Sequence, residues 1–255
     1  LGRGLTAALL LATLSKANER VTLQFECDGP LRTLNIDAYD DGDVRGYPGV
    51  IDVPLALPAG RRQRISPLLR RGVLSVIRDI GVRDRYQGQT SLTYGEVDED
   101  VEHYLRHSEQ VPSALGAEVV QGEDGAVLRA AGVLFQVMPG GDEDQVDAVQ
   151  AALRGGALYD LLQRSRDGID PAALCAALAP GLTIEALDRR PVRFQCRCSR
   201  GRIDAMLSSL PARELDDMIT EGGTQVTCNY CNEIYRITVE DLAQLRQALG
   251  DGASN

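Results

Sequence analysis

Cys196-Arg197-Cys198, followed after 29 intervening residues by Cys228-Asn229-Tyr230-Cys231, decides how the C-terminal part of this chain must fold. Two close cysteine pairs separated by a short insert suit one tetrahedral zinc ion. Each pair takes one edge of the tetrahedron, and the insert folds back to bring the edges together. Four thiolates make a closed structural site with no open position for a substrate. The surrounding module, at roughly 60 residues, has a size at which an apolar core alone is marginal and a metal staple is common. Cysteines at i and i+2 of an extended segment point to one face, which suits two ligands. Closing a bridge between such near neighbours requires the backbone between them to bend, so metal-bound and oxidised forms need different backbones. Two other readings compete: a pair of disulfides in a secreted domain, and a free thioredoxin-like CxxC. The latter normally opens a helix after a strand, whereas here Glu233-Ile234-Tyr235-Arg236-Ile237 follows, the second arm of a zinc hairpin.

Outward from the cysteines, residues 191–255 read as one small unit: a strand, two short helices, a hairpin, a final helix over Val239–Leu249 and a frayed tail over Asp251–Asn255. Residues 141–190 are Ala- and Leu-rich with helical spacing, interrupted at Gly155-Gly156, Gly168, Pro171 and Pro180-Gly181. Helices this short depend on docking for stability, so the segment reads as a helical linker. If their backbone angles are helical, Gly155→Ala and Gly168→Ala should strengthen it. Residues 1–140 are dense in strand signals. Val21–Phe25 alternates apolar with polar, Cys27-Asp28-Gly29-Pro30 turns, Leu31–Tyr39 is a second strand and Asp40–Asp43 a hairpin-like turn. Further strands are expected at Val73–Ile80, Tyr86–Thr93, Gly116–Val120 and Val127–Met138, with one helix over Val97–Glu109. Without regular β-α alternation the fold class is α+β: an N-terminal α+β domain, a helical linker and a small C-terminal zinc-binding domain.

A formal charge of −10 argues against a general nucleic-acid binder, which needs surplus Lys and Arg. The longest apolar run, Leu5–Leu14, is too short for a membrane helix, which needs ~20 residues. It reads as a buried helix; the alternative is a signal-peptide core, with Arg3 ahead of it and Ser15-Lys16-Ala17 as a loose cleavage site. The chain opens on Leu1 rather than Met, as a fragment or processed chain would.

Phe194-Gln195-Cys196-Arg197-Cys198-Ser199-Arg200, Leu210-Pro211, Glu214-Leu215 and Cys228-Asn229-Tyr230-Cys231 together resemble the 33 kDa chaperonin family of redox-regulated heat-shock proteins. Asp28-Gly29-Pro30, Arg85-Tyr86-Gln87-Gly88, Ser108-Glu109-Gln110 and Gln136-Val137-Met138-Pro139 extend the resemblance to the N-terminal domain. The resemblance implies a cytoplasmic, non-enzymatic stress-response chaperone that binds unfolding client proteins without ATP, with a possible homodimer when active. It implies one zinc per chain on Cys196, Cys198, Cys228 and Cys231 in the reduced state, and disulfides Cys196–Cys198 and Cys228–Cys231 after oxidation. Family members carry residues ahead of the apolar helix, so the first domain is expected to be truncated relative to the family.

Other candidates carry less. His103 and His107 sit four apart on a helix but lack the rest of an HExxH motif, and read as solvated. Cys27 and Cys175 read as small buried hydrophobes. Asp142-Glu143-Asp144 reads as a helix N-terminus rather than a calcium loop. The basic Arg197, Arg200 and Arg202 are offset by Asp204, Glu214, Asp216 and Asp217. Two further functions remain as alternatives: a zinc-ribbon-like nucleic-acid module, which would need a basic, aromatic-lined face, and a thiol–disulfide oxidoreductase.

Overall fold

The computed structural model describes residues 1–15, 19–53, 62–79, 85–165, 168 and 170–252. Ile80, Lys16 and Ala17, and the end of the tail lie outside the described residues. Two compact units emerge, Leu1–Phe194 and Gln195–Asn255.

In the first unit the apolar run forms helix α1 (Gly2–Ala12), whose Ala7, Ala8, Leu11 and Ala12 are buried. The alternation read at Val21–Phe25 becomes strand β1 (Arg20–Cys27), with Val21, Leu23 and Phe25 on the core face. Strands β2 (Thr33–Tyr39) and β3 (Asp43–Pro48) follow as antiparallel neighbours, joined by the expected turn. A single turn of helix, α2 (Ser66–Leu69), has no counterpart in the sequence reading; it precedes β4 (Gly72–Asp79) and β5 (Arg85–Ser91). Helix α3 (Val97–His107) puts Val97, Val101, Tyr104 and Leu105 into the core. Strands β6 (Ser113–Gln121) and β7 (Val127–Gln136) form a separate antiparallel hairpin, and α1 packs on both sheets.

The glycine- and proline-broken segment forms α4 (Glu143–Arg154), α5 (Ala157–Arg164) and α6 (Pro171–Leu178). Val146, Val149, Leu153, Leu158, Leu162, Leu174 and Leu178 share an apolar cluster with Ala114, Val120 and Val133 of the hairpin. Asp142 caps α4 through the Asp144 amide, as its acidic run suggested. Gly155 has helical angles (φ −68°), whereas Gly168 sits at φ +87°, where an L side chain is strained. Only the first glycine satisfies the condition for a stabilising alanine.

The strand expected near Val192 is β8 (Arg193–Phe194), but it belongs to the first unit. It lies parallel to β3, closing a six-stranded sheet of order β5-β4-β1-β2-β3-β8. Arg193 donates its amide to Gly42 O at 3.1 Å and its Nε to Asp43 Oδ1 at 2.6 Å, and Arg190 Nη1 donates to Asp40 O at 3.0 Å. Gly42, at φ +86°, packs so tightly that a Cβ there would stand 2.0 Å from Pro191 O.

The first turns of α3 carry a dense cluster of acids. Glu96, Asp98, Glu99, Asp100 and Glu102, together with Glu118 of β6, are all buried. Arg3 pairs with Glu96 at 2.9 Å and Glu118 at 2.7 Å; Arg62 pairs with Glu118, Arg64 with Glu96 and Glu99, and Arg154 with Glu102. Asp100 accepts the amides of Thr93, Tyr94 and Glu96. Burial holds the carboxyls of Asp98, Glu99, Asp100, Glu102 and Glu118 above the ordinary range despite these partners. Acids whose folded-state pKa is raised bind more protons folded than unfolded. The unit therefore gains stability as pH falls from 7 toward about 5, above the unfolded values near 4. Protection of β1 and β4 amides in the whole chain, measured as exchange relative to the intrinsic rate at each pH, should rise over this window, and Asp98→Asn should flatten the dependence. Protection that falls on acidification would contradict this reading of the cluster.

Candidate metal centre

The second unit contains α7 (Arg200–Leu207), α8 (Ala212–Thr220), a hairpin of β9 (Thr224–Thr227) and β10 (Ile234–Ile237), and α9 (Val239–Gly252). Its buried apolar residues are Ile203, Leu207, Leu215, Ile237 and Leu242 among those described. This is a thin core for an independent unit.

All four sequence-predicted cysteines meet at one end of it. Cys196 and Cys198 lie on the stretch just ahead of α7, which Ser199 caps by accepting the Arg202 amide. Cys228 and Cys231 lie in the reversal between β9 and β10. There Asn232 takes φ +61°, its amide reaches Cys228 O at 2.8 Å, and the Cys228 amide donates to Glu233 O at 2.9 Å. Cys196 Sγ stands 3.7 Å from Cys228 Sγ, and Cys198 Sγ 3.5 Å from Cys231 Sγ. The four sulfurs lie within 4.8 Å of one another, and no pair is bonded. Four soft donors converging on one point can hold a metal ion.

The electrostatics agree. The Glu233 amide favours a Cys231 thiolate, yet burial and the three neighbouring sulfurs push that thiol up to about 12. Sulfurs this crowded cannot all ionise without a cation among them. Sequence reading missed three supports. Tyr235 donates its hydroxyl to Cys198 Sγ at 3.1 Å. Arg200 bridges Asp204 and Asp241, each at 2.8 Å, and reaches Arg236 O, tying α7 to the hairpin and α9. Glu233 supplies the amide to Cys231. An aromatic in the arm after a CxxC was the one available signal for Tyr235.

Elsewhere, His107 Nδ1 lies 3.0 Å from the His103 carbonyl, and the two rings stack at 4.0 Å. His107 is exposed, whereas His103 is half-buried rather than solvated. Cys27 and Cys175 are unbonded and partly buried against the two cores of the first unit, and burial raises both thiols. No helix among the described residues is long and apolar enough to cross a membrane.

A family model described as Hsp33 protein matches residues 1–238. The chain belongs to the Hsp33 family. The 33 kDa chaperonin of Symbiobacterium thermophilum is 36% identical to it over 253 residues, covering 98% of this chain and 85% of that protein. The 33 kDa chaperonin of Geobacter sulfurreducens is also 36% identical, covering 98% and 82%. The crystal structure of the Thermotoga maritima 33 kDa chaperonin superposes with a TM-score of 0.83 at 29% identity, over 98% of this chain and 85% of that one. The Hsp33 likeness therefore spans both units and places the chain in a chaperone family.

Replacing one ligand tests the centre. Cys228→Ser should lower bound metal from one ion per reduced chain to a small fraction, read by elemental analysis, because a neutral hydroxyl is a poor fourth donor. Four free thiols with no metal in the unsubstituted chain would refute the site.

Proposed function

We propose that this protein is a redox-regulated, ATP-independent holdase chaperone. Reduced, it carries one zinc ion on Cys196, Cys198, Cys228 and Cys231; oxidised, it releases the metal and binds unfolding proteins. The closed four-sulfur cluster carries this reading. A Zn–S₄ tetrahedron with bonds of about 2.3 Å has sulfur–sulfur edges of about 3.8 Å, close to the 3.5 and 3.7 Å spacings. Thiolate-only donor sets favour zinc among common divalent ions. All four sulfurs turn on one point, which supports a structural rather than a catalytic role for these cysteines.

The switch follows from donor chemistry. Disulfides Cys196–Cys198 and Cys228–Cys231 would remove all four thiolates, and disulfide sulfur is a poor ligand. Structural zinc contributes ~10–16 kcal/mol in comparable small sites, against the ~5–15 kcal/mol of a typical folded domain. A unit with so few buried apolar side chains should unfold when the metal leaves.

In this reading residues 1–140 form the client-binding and possible dimerisation domain, 141–190 a metastable linker, and 191–255 the switch. Short, interrupted helices support the linker role, as does the polar character of part of its docking: Gln150 and Arg154 reach Glu102, and Arg106 pairs with Asp147. β8 ends two residues before Cys196 and pairs with only Asp43 and Val44, so it is held weakly once the following segment loosens. Within the first unit a groove of about 940 Å³ is lined by Leu9, Leu10, Leu162, Leu174, Leu187 and Val192, a surface suited to exposed apolar segments of clients. The setting is the cytoplasm, whose reducing poise keeps such cysteines available for metal. The net charge of −10 gives no support to nucleic-acid binding.

Light scattering of a heat-unfolding client decides the matter. Oxidised, zinc-free protein should suppress aggregation without ATP in proportion to its own concentration, and reductant plus zinc should abolish that protection. Equal protection by both forms would leave the cysteines merely structural. Arg193→Ala, which removes the ion pair to Asp43, should speed activation by peroxide severalfold; unchanged activation would remove β8 from the switch.

A further inference from the structure

Tyr235 stands in β10 opposite Val226 of β9. Its hydroxyl donates to the cluster, at 3.1 Å from Cys198 Sγ. The donor to Cys231 is a backbone amide, that of Glu233, built into the chain reversal itself. Cys198 is partly buried and Cys231 exposed, so the two ends of the cluster differ in both access and hydrogen bonding. A phenol on a sulfur does two things. It occupies a lone pair, and it draws charge from the thiolate, which is the nucleophilic form.

We infer that Tyr235 is a positioning residue that sets how readily this cluster is oxidised, by shielding the Cys198 lone pair that an oxidant must reach. The inference rests on the proposal that oxidation releases the metal. With hydrogen peroxide, a thiolate sulfur attacks one peroxide oxygen: an S–O bond forms, the O–O bond breaks and hydroxide leaves. A second thiolate attacks the sulfenic sulfur: the S–S bond forms and a second hydroxide leaves. Two electrons have passed from two sulfurs to the peroxide. A hydrogen bond to the attacking sulfur stabilises the starting thiolate and must weaken as the S–O bond forms, so it slows the first step. Its removal should speed that step about threefold to tenfold, part of the value of a charge-assisted hydrogen bond.

The test uses the full chain loaded with zinc, with metal release after hydrogen peroxide followed by a chromogenic chelator and early thiol loss mapped by alkylation and mass spectrometry. Tyr235→Phe should carry one zinc before oxidant, as the unsubstituted chain does. It should then release the metal about threefold to tenfold faster, with Cys198 modified earlier. Val226→Ala loosens the same hairpin without touching the sulfur and should leave the rate unchanged. The inference is overturned if Tyr235→Phe releases zinc at the original rate or slower. It is also overturned if that variant lacks zinc before oxidant, or if Val226→Ala accelerates release equally, because each makes Tyr235 a packing residue. None of these outcomes concerns client protection. If instead peroxide leaves the unsubstituted chain's zinc in place, the redox reading itself falls and this inference with it.

Discussion

Four sulfurs held within 4.8 Å of one another cannot share that space as bare thiolates. Two unit charges 4 Å apart at a protein surface repel by about 4 kcal/mol, and a four-sulfur cluster contains several such contacts. The gathering is stable with a cation at its centre, with protons on the sulfurs, or with covalent bonds between them. In the proposed switch, the rest of the second unit depends on which condition holds. Its buried core amounts to a few side chains of α7, α8, β10 and α9, and the reversal carrying Cys228 and Cys231 is tied down by backbone bonds that the metal would reinforce.

The first unit solves a similar charge problem with no removable part. Six buried carboxylates around the start of α3 are held by Arg3, Arg62, Arg64, Arg154 and backbone amides. Guanidinium counter-charges are part of the chain and insensitive to oxidants, whereas a metal counter-charge leaves when its ligands are oxidised. The carboxylate cluster is therefore fixed within the chain, whereas under the proposed switch the cysteine cluster would hold its surroundings folded only while its ligands stay reduced. Arg154 of α4 ties the interrupted helical segment to the carboxylate cluster, and in the chain β8 ends two residues ahead of Cys196.

Much of this was legible in the residues. The cysteine pairs announce their site because ligand spacing is a local property, and β1 and β2 announce themselves through period-2 alternation. Leu5–Leu14 was identified as a core helix from its length and apolarity. What stayed hidden was non-local. Glu96, Asp98, Glu99, Asp100 and Glu102 look like the solvated face of an amphipathic helix, and Arg3, Arg62, Arg64 and Arg154, brought in from distant parts of the chain, help make their burial tolerable. β8 is two residues long and owes its existence to the β3 edge, so no pattern in Arg193-Phe194 alone assigns it to the first sheet. Tyr235 alternates within β10 like any strand aromatic; its contact with Cys198 depends on how α7 and the hairpin meet.

The most direct test is residue-resolved hydrogen exchange on the whole chain, zinc-loaded and reduced, then after peroxide. If the metal conditions the second unit and that unit steadies the helical segment, oxidation should abolish protection across α7–α9 and weaken it in α4–α6. β1, β2 and β4 should keep theirs. Retained protection in α7–α9 after the zinc has left would contradict the account.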